Sequence, residues 1–178
     1  MDLLNNRAIA AVLCALVIIV SSVVGAGASL GSLRRQTEAV FSSAGVGIQG
    51  DLNEISAQAF NLTVIAGRYL QQDYIAVASV HTKRDALNQA ATPREKHLAA
   101  GELLVAANML SHTLGSLELS EQDRSLLDAC MVEINSRVAL ISASGYNQSA
   151  LRFNQALERF PANILGRATG VRPLELYE

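Results

Sequence analysis

The stretch AIAAVLCALVIIVSSVVGAGA, residues 8–28, carries 17 apolar side chains and no charge. As a helix rising 1.5 Å per residue it would be about 31 Å long, matching the ~30 Å hydrocarbon core of a bilayer. A core helix of a soluble protein keeps a polar face, and here nothing polar precedes Ser21 and Ser22. The reading is an N-terminal transmembrane helix that anchors the chain in the lipid bilayer, with residues 1–7 as a short flank. A cleaved signal peptide is the competing reading. Arg7 would be its basic region, Ala8–Val20 its apolar region, and Gly25-Ala26-Gly27-Ala28 a small-residue cleavage site. The apolar run continues to Leu30, which favours retention as a single-pass anchor. Counting only Lys and Arg near the span, Arg34 and Arg35 outweigh Arg7 by a single charge, and the α-amino group cancels that margin. The sequence therefore assigns the domain beyond the span to neither side of the membrane.

The anchor accounts for an unusual composition. The 178-residue chain is 50% hydrophobic, but outside residues 8–28 the fraction drops to about 46%, as in ordinary globular domains. Only 17% of residues are charged, and the net charge is −2 with no long single-sign run. That excludes the electrostatic footprint of a nucleic-acid binder. Cys14 lies within the span and Cys130 far outside it, so they cannot form a disulfide.

Beyond the span, residues 29–178 read as one helical domain. Gly45, Gly47 and Gly50 make a continuous helix expensive and predict a turn or kinked joint over 45–50. Asp51 and Glu54 have capping-box spacing, and Leu52, Ile55, Ala59, Leu62, Ile65 and Tyr69 lie beyond them on one helical face. The pattern continues through Val77, Val80 and Leu87, predicting a helix that runs nearly to Ala90. Thr92-Pro93-Arg94-Glu95 is the clearest start signal: Thr92 caps, Pro93 fits the first turn, and Glu95 reaches back. That helix carries Leu98, Leu103, Ala106, Leu110 and Leu114 on one face and ends at Gly115. Ser120-Glu121-Gln122-Asp123 opens the next, with Leu127, Met131, Ile134, Val138 and Ile141 on its face, expected to run to Phe160 before Pro161. Three long helices and an extension of the membrane helix make an all-α, antiparallel, four-helix-type bundle.

Chemistry is hard to find in this pattern. His81, His97 and His112 are about fifteen residues apart, without the spacing of a zinc or di-iron site. No phosphate-binding loop or nucleophile elbow occurs, and Cys130 falls on an apolar face as an inert thiol. The sequons at Asn61 and Asn147 fall within predicted helices and read as chance matches. No catalytic residue, metal or cofactor is expected, and the chain does not read as an enzyme.

The C-terminal region is more distinctive. Tyr146, Phe153 and Phe160 are spaced by seven, as are Asn147 and Asn154, and four of the eight aromatic residues fall in the last 33 positions. On one helix this spacing makes a stripe: an aromatic core seam with register-fixing amides, or a ligand groove lined by those amides. The segment GYNQSALRFNQALERFPANILGRATGVRPLELYE, residues 145–178, resembles the C-terminal signature of the LemA family. Its elements here are Tyr146-Asn147, Phe153-Asn154, Phe160-Pro161, Gly170 and Tyr177. Residues 91–96 with Gly101-Glu102-Leu103 resemble the family's third helix, and Asn61-Leu62 with Tyr69-Leu70 faintly its second. The chain departs from the family pattern at Gln58-Ala59-Phe60, Leu117-Glu118-Leu119 and Val171. The resemblance implies a membrane anchor and a helical bundle, and implies no reaction. The expected role is contact with protein partners, as an adaptor or structural element of a bacterial cell membrane. The alternative is an envelope sensory or ligand-binding bundle.

Overall fold

The structure, a computed structural model, describes residues 2–43, 47–71 and 74–178, apart from the side chains of residues 2–6 and 8. The described residues form helices and no strand. The chain divides into two compact units: Met1–Glu38 with Gln148–Leu174, and Ala39–Asn147 with Glu175–Glu178.

The first unit is dominated by α1 (Asp2–Ser42), 41 residues long and hence about 62 Å. No charge falls in its apolar stretch, and its large side chains from Ile9 to Val20 and at Val24 are exposed. It is long and apolar enough to cross a membrane. The same unit holds most of α6 (Tyr146–Glu158) and all of α7 (Ala162–Thr169). Small residues let these helices approach closely. A Cβ at Gly166 would lie 2.5 Å from Leu157 Cδ1, and one at Gly27 would lie 2.7 Å from Thr169 Cγ2. So α7 packs on α6 at Gly166 and on α1 at Gly27. Helix α7 stops at Gly170, whose φ of +72° is left-handed. Val171 N–H donates to Gly166 O at 2.9 Å and Gly170 N–H to Arg167 O at 3.4 Å, the two bonds of a Schellman stop.

The second unit is built on α2 (Ile48–Ala66), α3 (Ile75–Gln89), α4 (Pro93–Gly115) and α5 (Glu121–Ala143). Ion pairs and ring contacts give their directions. Asp51 at the start of α2 meets Arg137 late in α5, and Arg68 just past α2 meets Asp123 early in α5. Phe60 stacks edge-on with His81 of α3, and Lys83 of α3 pairs with Glu102 of α4 at 2.9 Å. The two α2–α5 pairs make those helices antiparallel, and Phe60–His81 with Ser56–Asn88 do the same for α2 and α3. Leu52, Ile55, Leu62, Val80, Leu103, Leu110, Leu114 and Ile134 fill the centre, all essentially fully buried.

The four-helix count is reached differently from expectation. The predicted helix from Asp51 to Ala90 is two helices, ending first at Ala66 and resuming at Ile75. A single Gly67 would not stop it, at about 1 kcal/mol relative to Ala. The break instead sends Arg68 and Tyr69 to the N-terminus of α5, 51 to 55 residues away. Thus α2–α5 supply four helices within this unit, which the end of α1 from Ala39 also joins. Asp51 is not a cap either: α2 starts at Ile48 behind Gly47, with Gly50 already helical, and the buried Asp51 carboxylate accepts from Arg137 at 3.2 Å. The joint predicted over 45–50 is a helix break between Ser42 and Ile48, of which Gly45 lies outside the described residues.

Helix α4 follows its sequence closely. Glu95 N–H donates to Thr92 Oγ1 at 3.3 Å, while the Glu95 carboxylate accepts from the Thr92 N–H at 3.1 Å and the Ala91 N–H at 2.9 Å. These backbone donors hold the Glu95 carboxyl below its usual range. Leu98 departs from expectation and is exposed. It lies five residues before Leu103, about 140° round the helix, and Ala100 takes the inward position. Helix α5 starts where predicted, with Ser120 as its cap, but ends at Ala143 rather than reaching Phe160. Gly145, at φ +68°, turns the chain and α6 starts afresh at Tyr146.

Candidate functional site

The residues singled out near the C-terminus separate into different roles. Asn147 Oδ1 accepts from the Tyr177 N–H at 2.7 Å, and its Nδ2 donates to Glu178 Oε1 at 2.8 Å. The Tyr146 hydroxyl donates to Glu175 O at 2.8 Å. In the first unit, Asn154 Oδ1 accepts from the Leu174 N–H at 2.8 Å and its Nδ2 donates to Leu174 O at 2.9 Å. The two amides spaced by seven therefore hold the irregular segment after Gly170 by its backbone. They are occupied by that segment, so a ligand groove lined by them loses its hydrogen-bonding groups.

Tyr177 is the anchor of this clamp. Its ring is 8% exposed, edge-on to His97 at 5.0 Å and tilted against Phe41 at 6.0 Å. Burial pushes its phenol up to about 12. Beside it lies a cavity of ≈ 130 Å³ that also touches His97, Ala100, Leu104, Val138 and Ile141.

Phe153 is 5% exposed, but Phe160 is 79% exposed, so the aromatic seam stops after Phe153. A heptad projection assumes a continuous helix, and α6 ends at Glu158. Phe160 instead sits in the turn before the cis-linked Pro161 that precedes α7. Gly170 serves as the left-handed stop of α7.

Sequence reasoning missed a polar cluster at the end of α2. Asp123 is buried, takes the Tyr69 hydroxyl at 2.6 Å, the Ser120 hydroxyl at 3.0 Å, and the Arg68 guanidinium. The Tyr69 hydroxyl itself accepts from the Ser120 N–H at 3.0 Å. The Tyr69 hydrogen bond, with those of Ser120 and Arg68, holds the Asp123 carboxyl below its usual range against the opposing effect of burial. Three donors from the end of α2 and the start of α5 meet on this carboxylate, which ties those helix ends together. Gly67 followed by a cation and a phenol was the available sequence signal.

The remaining candidates for chemistry are dispersed. Among the described residues no group of three His, Cys, Asp or Glu side chains could hold a metal ion. Cys130 is buried in α5 and burial raises its thiol pKa, which disfavours the thiolate. Asn61 and Asn147, the two sequon positions, are both helical and hydrogen-bonded.

Surface shape is more informative. Between the start of α3 and the C-terminal half of α4 lies an open groove of ≈ 490 Å³, lined by Tyr74, Ile75, Ala76, Ser79, Ala106, Met109 and Thr113. Its floor is made of small buried residues, Ala76 and Ala106, and its rims carry Tyr74, Met109 and Ile75, the last 85% exposed. A second groove of ≈ 480 Å³, between α2 and α5, is more polar, with Gln58, Asn61, Arg68 and Glu133 around Val64 and Leu126. No family model matches the chain, and no curated protein matches it.

Proposed function

We propose that this chain is a single-pass, membrane-anchored helical bundle of LemA type that acts by protein contact, as an adaptor or structural element in a bacterial cell membrane. The observation that carries the reading is the α3/α4 groove, joined in one chain to a helix apolar enough to span a bilayer. Small residues on the floor and large apolar residues on the rims suit an apolar helix face of a partner protein. Met109 on the rim adds an adaptable contact. The LemA resemblance supports the assignment because its Tyr-Asn, aromatic-Asn, Gly and Tyr positions each hold or turn the C-terminal tail.

The test is co-purification from detergent extract of wild type against Ile75→Glu and Met109→Glu. Both side chains are exposed, so thermal unfolding should be unchanged while partner recovery is lost. Val132→Glu, on the exposed face of α5, should keep the partner. Equal recovery with all three variants would refute docking through this groove. A small-ligand reading is favoured by one observation, the ≈ 130 Å³ cavity beside His97 and Tyr177. It predicts a rise in melting temperature with a small apolar ligand, abolished by filling the cavity with Gly101→Leu.

A further inference from the structure

We propose that α7 and the turn before it form an interfacial membrane element. Phe160 and Ile164 enter the acyl boundary of the bilayer, and Arg159, Arg167 and Arg172 bind the phosphates of anionic lipid headgroups. The inference rests on the reading of α1 as a membrane-spanning helix.

Three observations within the first unit carry it. The first is position. Thr169 of α7 packs against Gly27 of α1, the last turn of the apolar stretch over residues 8–28, so α7 is held at the level where a spanning helix leaves the hydrocarbon. Arg35 lies about 12 Å further along α1, at headgroup depth. The second is exposure. Phe160 is 79% and Ile164 60% exposed, while Gly166 on the other side of α7 is buried against Leu157. The third is charge. Residues 148–174 contain four arginines, Arg152, Arg159, Arg167 and Arg172, against the single acid Glu158, in a chain of net charge −2. All four arginines are exposed. A short amphipathic helix with bulky apolar residues and a basic flank lies in the membrane interface, its apolar face about 5–10 Å into the headgroup–acyl boundary. The tether through α1 makes this insertion intramolecular, so a single turn of exposed apolar surface suffices.

The chain contains no tryptophan, so single substitutions report their own depth. The full chain would be reconstituted in phosphatidylcholine vesicles, with or without phosphatidylglycerol, containing lipids brominated at shallow or deep acyl positions. Phe160→Trp and Ile164→Trp should be quenched by shallow bromines, more strongly with phosphatidylglycerol. Ile18→Trp should be quenched by deep bromines. Arg159→Gln and Arg167→Gln should each lower the inserted-to-lifted ratio about fivefold in the anionic vesicles, and leave it unchanged in the neutral ones. Quenching of Ile18→Trp without quenching at 160 or 164 overturns the interfacial element and leaves the anchor standing. Blue-shifted but unquenched emission at 160 and 164 also overturns it, because a second copy or another protein then covers the face. No quenching of Ile18→Trp removes the anchor, and the proposal falls with it.

Discussion

Replacing Asn147 by alanine removes the two hydrogen bonds that hold Tyr177 and Glu178, at 2.7 and 2.8 Å. The Tyr177 N–H is then left beside a ring that is 8% exposed, with no acceptor in place of the amide. Leaving a buried donor unpaired costs about 1–3 kcal/mol. The segment 175–178 would then open about 5 to 150 times more often, with the Tyr146 hydroxyl bond to Glu175 still in place. Two measurements read this. Amide hydrogen exchange at 175–178 should accelerate by that factor, with little change at the α4 core. The Tyr177 phenol, raised to about 12 by burial, should titrate back toward its ordinary value of 10.0. It would be followed by phenolate absorbance against a Tyr177→Phe reference. The folded state keeps a proton that the released segment gives up. The docked segment is therefore fully stable below about pH 10 and weakens as pH rises from 10 toward 12. Unchanged exchange in Asn147→Ala, or a Tyr177 that still titrates near 12, would refute the clamp.

Phe153→Ala should cost about 3–5 kcal/mol in thermal unfolding and Phe160→Ala less than about 0.5, against the equal losses that a continuous seam requires. Thr92→Ala should destabilise by about 1 kcal/mol, and Thr92→Ser should restore most of it. If the serine variant were as weak as the alanine one, the cap would not be the cause. The lowered Asp123 pKa contributes stability that is present above the ordinary value of 3.8 and lost as pH falls through the lower folded value. Tyr69→Phe removes the largest cause of that shift, so the acid limb of the stability curve should flatten. An acid limb of unchanged slope would contradict the cluster.

Legibility from sequence tracked the distance between partners. The Thr92–Glu95 box is closed by groups three residues apart and is legible in the sequence, as is the start of α5 at residues 120–123. The membrane-length part of α1 needed only an uncharged, mostly apolar run, which is legible in the local sequence. The errors lie where a distant partner decides. Asp51 and Glu54 satisfy the spacing of a cap, yet Arg137, 86 residues on, takes the Asp51 carboxylate. Tyr69 fits the apolar period of a long helix, yet its hydroxyl leaves that helix for Ser120 and Asp123. Phe160 keeps the seven-residue period of Tyr146 and Phe153, but a period continues only while the helix does, and α6 stops at Glu158.

The candidate surfaces depend on tertiary structure throughout. No local pattern announces that Ala76 and Ala106 face each other under Ile75 and Met109, because a groove is formed by two helices and its lining is contiguous only once they pack. The same holds for the clamp. The spacing of Asn147 and Asn154 was visible, but whether amides meet each other, a ligand or a backbone depends on where residues 171–178 lie. By itself the sequence determined the class: an apolar helix of bilayer length, then helices started by local caps and faced by three-four periodicity. These arise from interactions spanning at most a turn or two of chain. Tertiary structure decided where the helices break, which aromatic residues are core, and which apolar surface is left for a partner. Those outcomes compare the small cost of breaking a helix with the gain from pairing groups tens of residues apart, and only the folded chain brings such groups together.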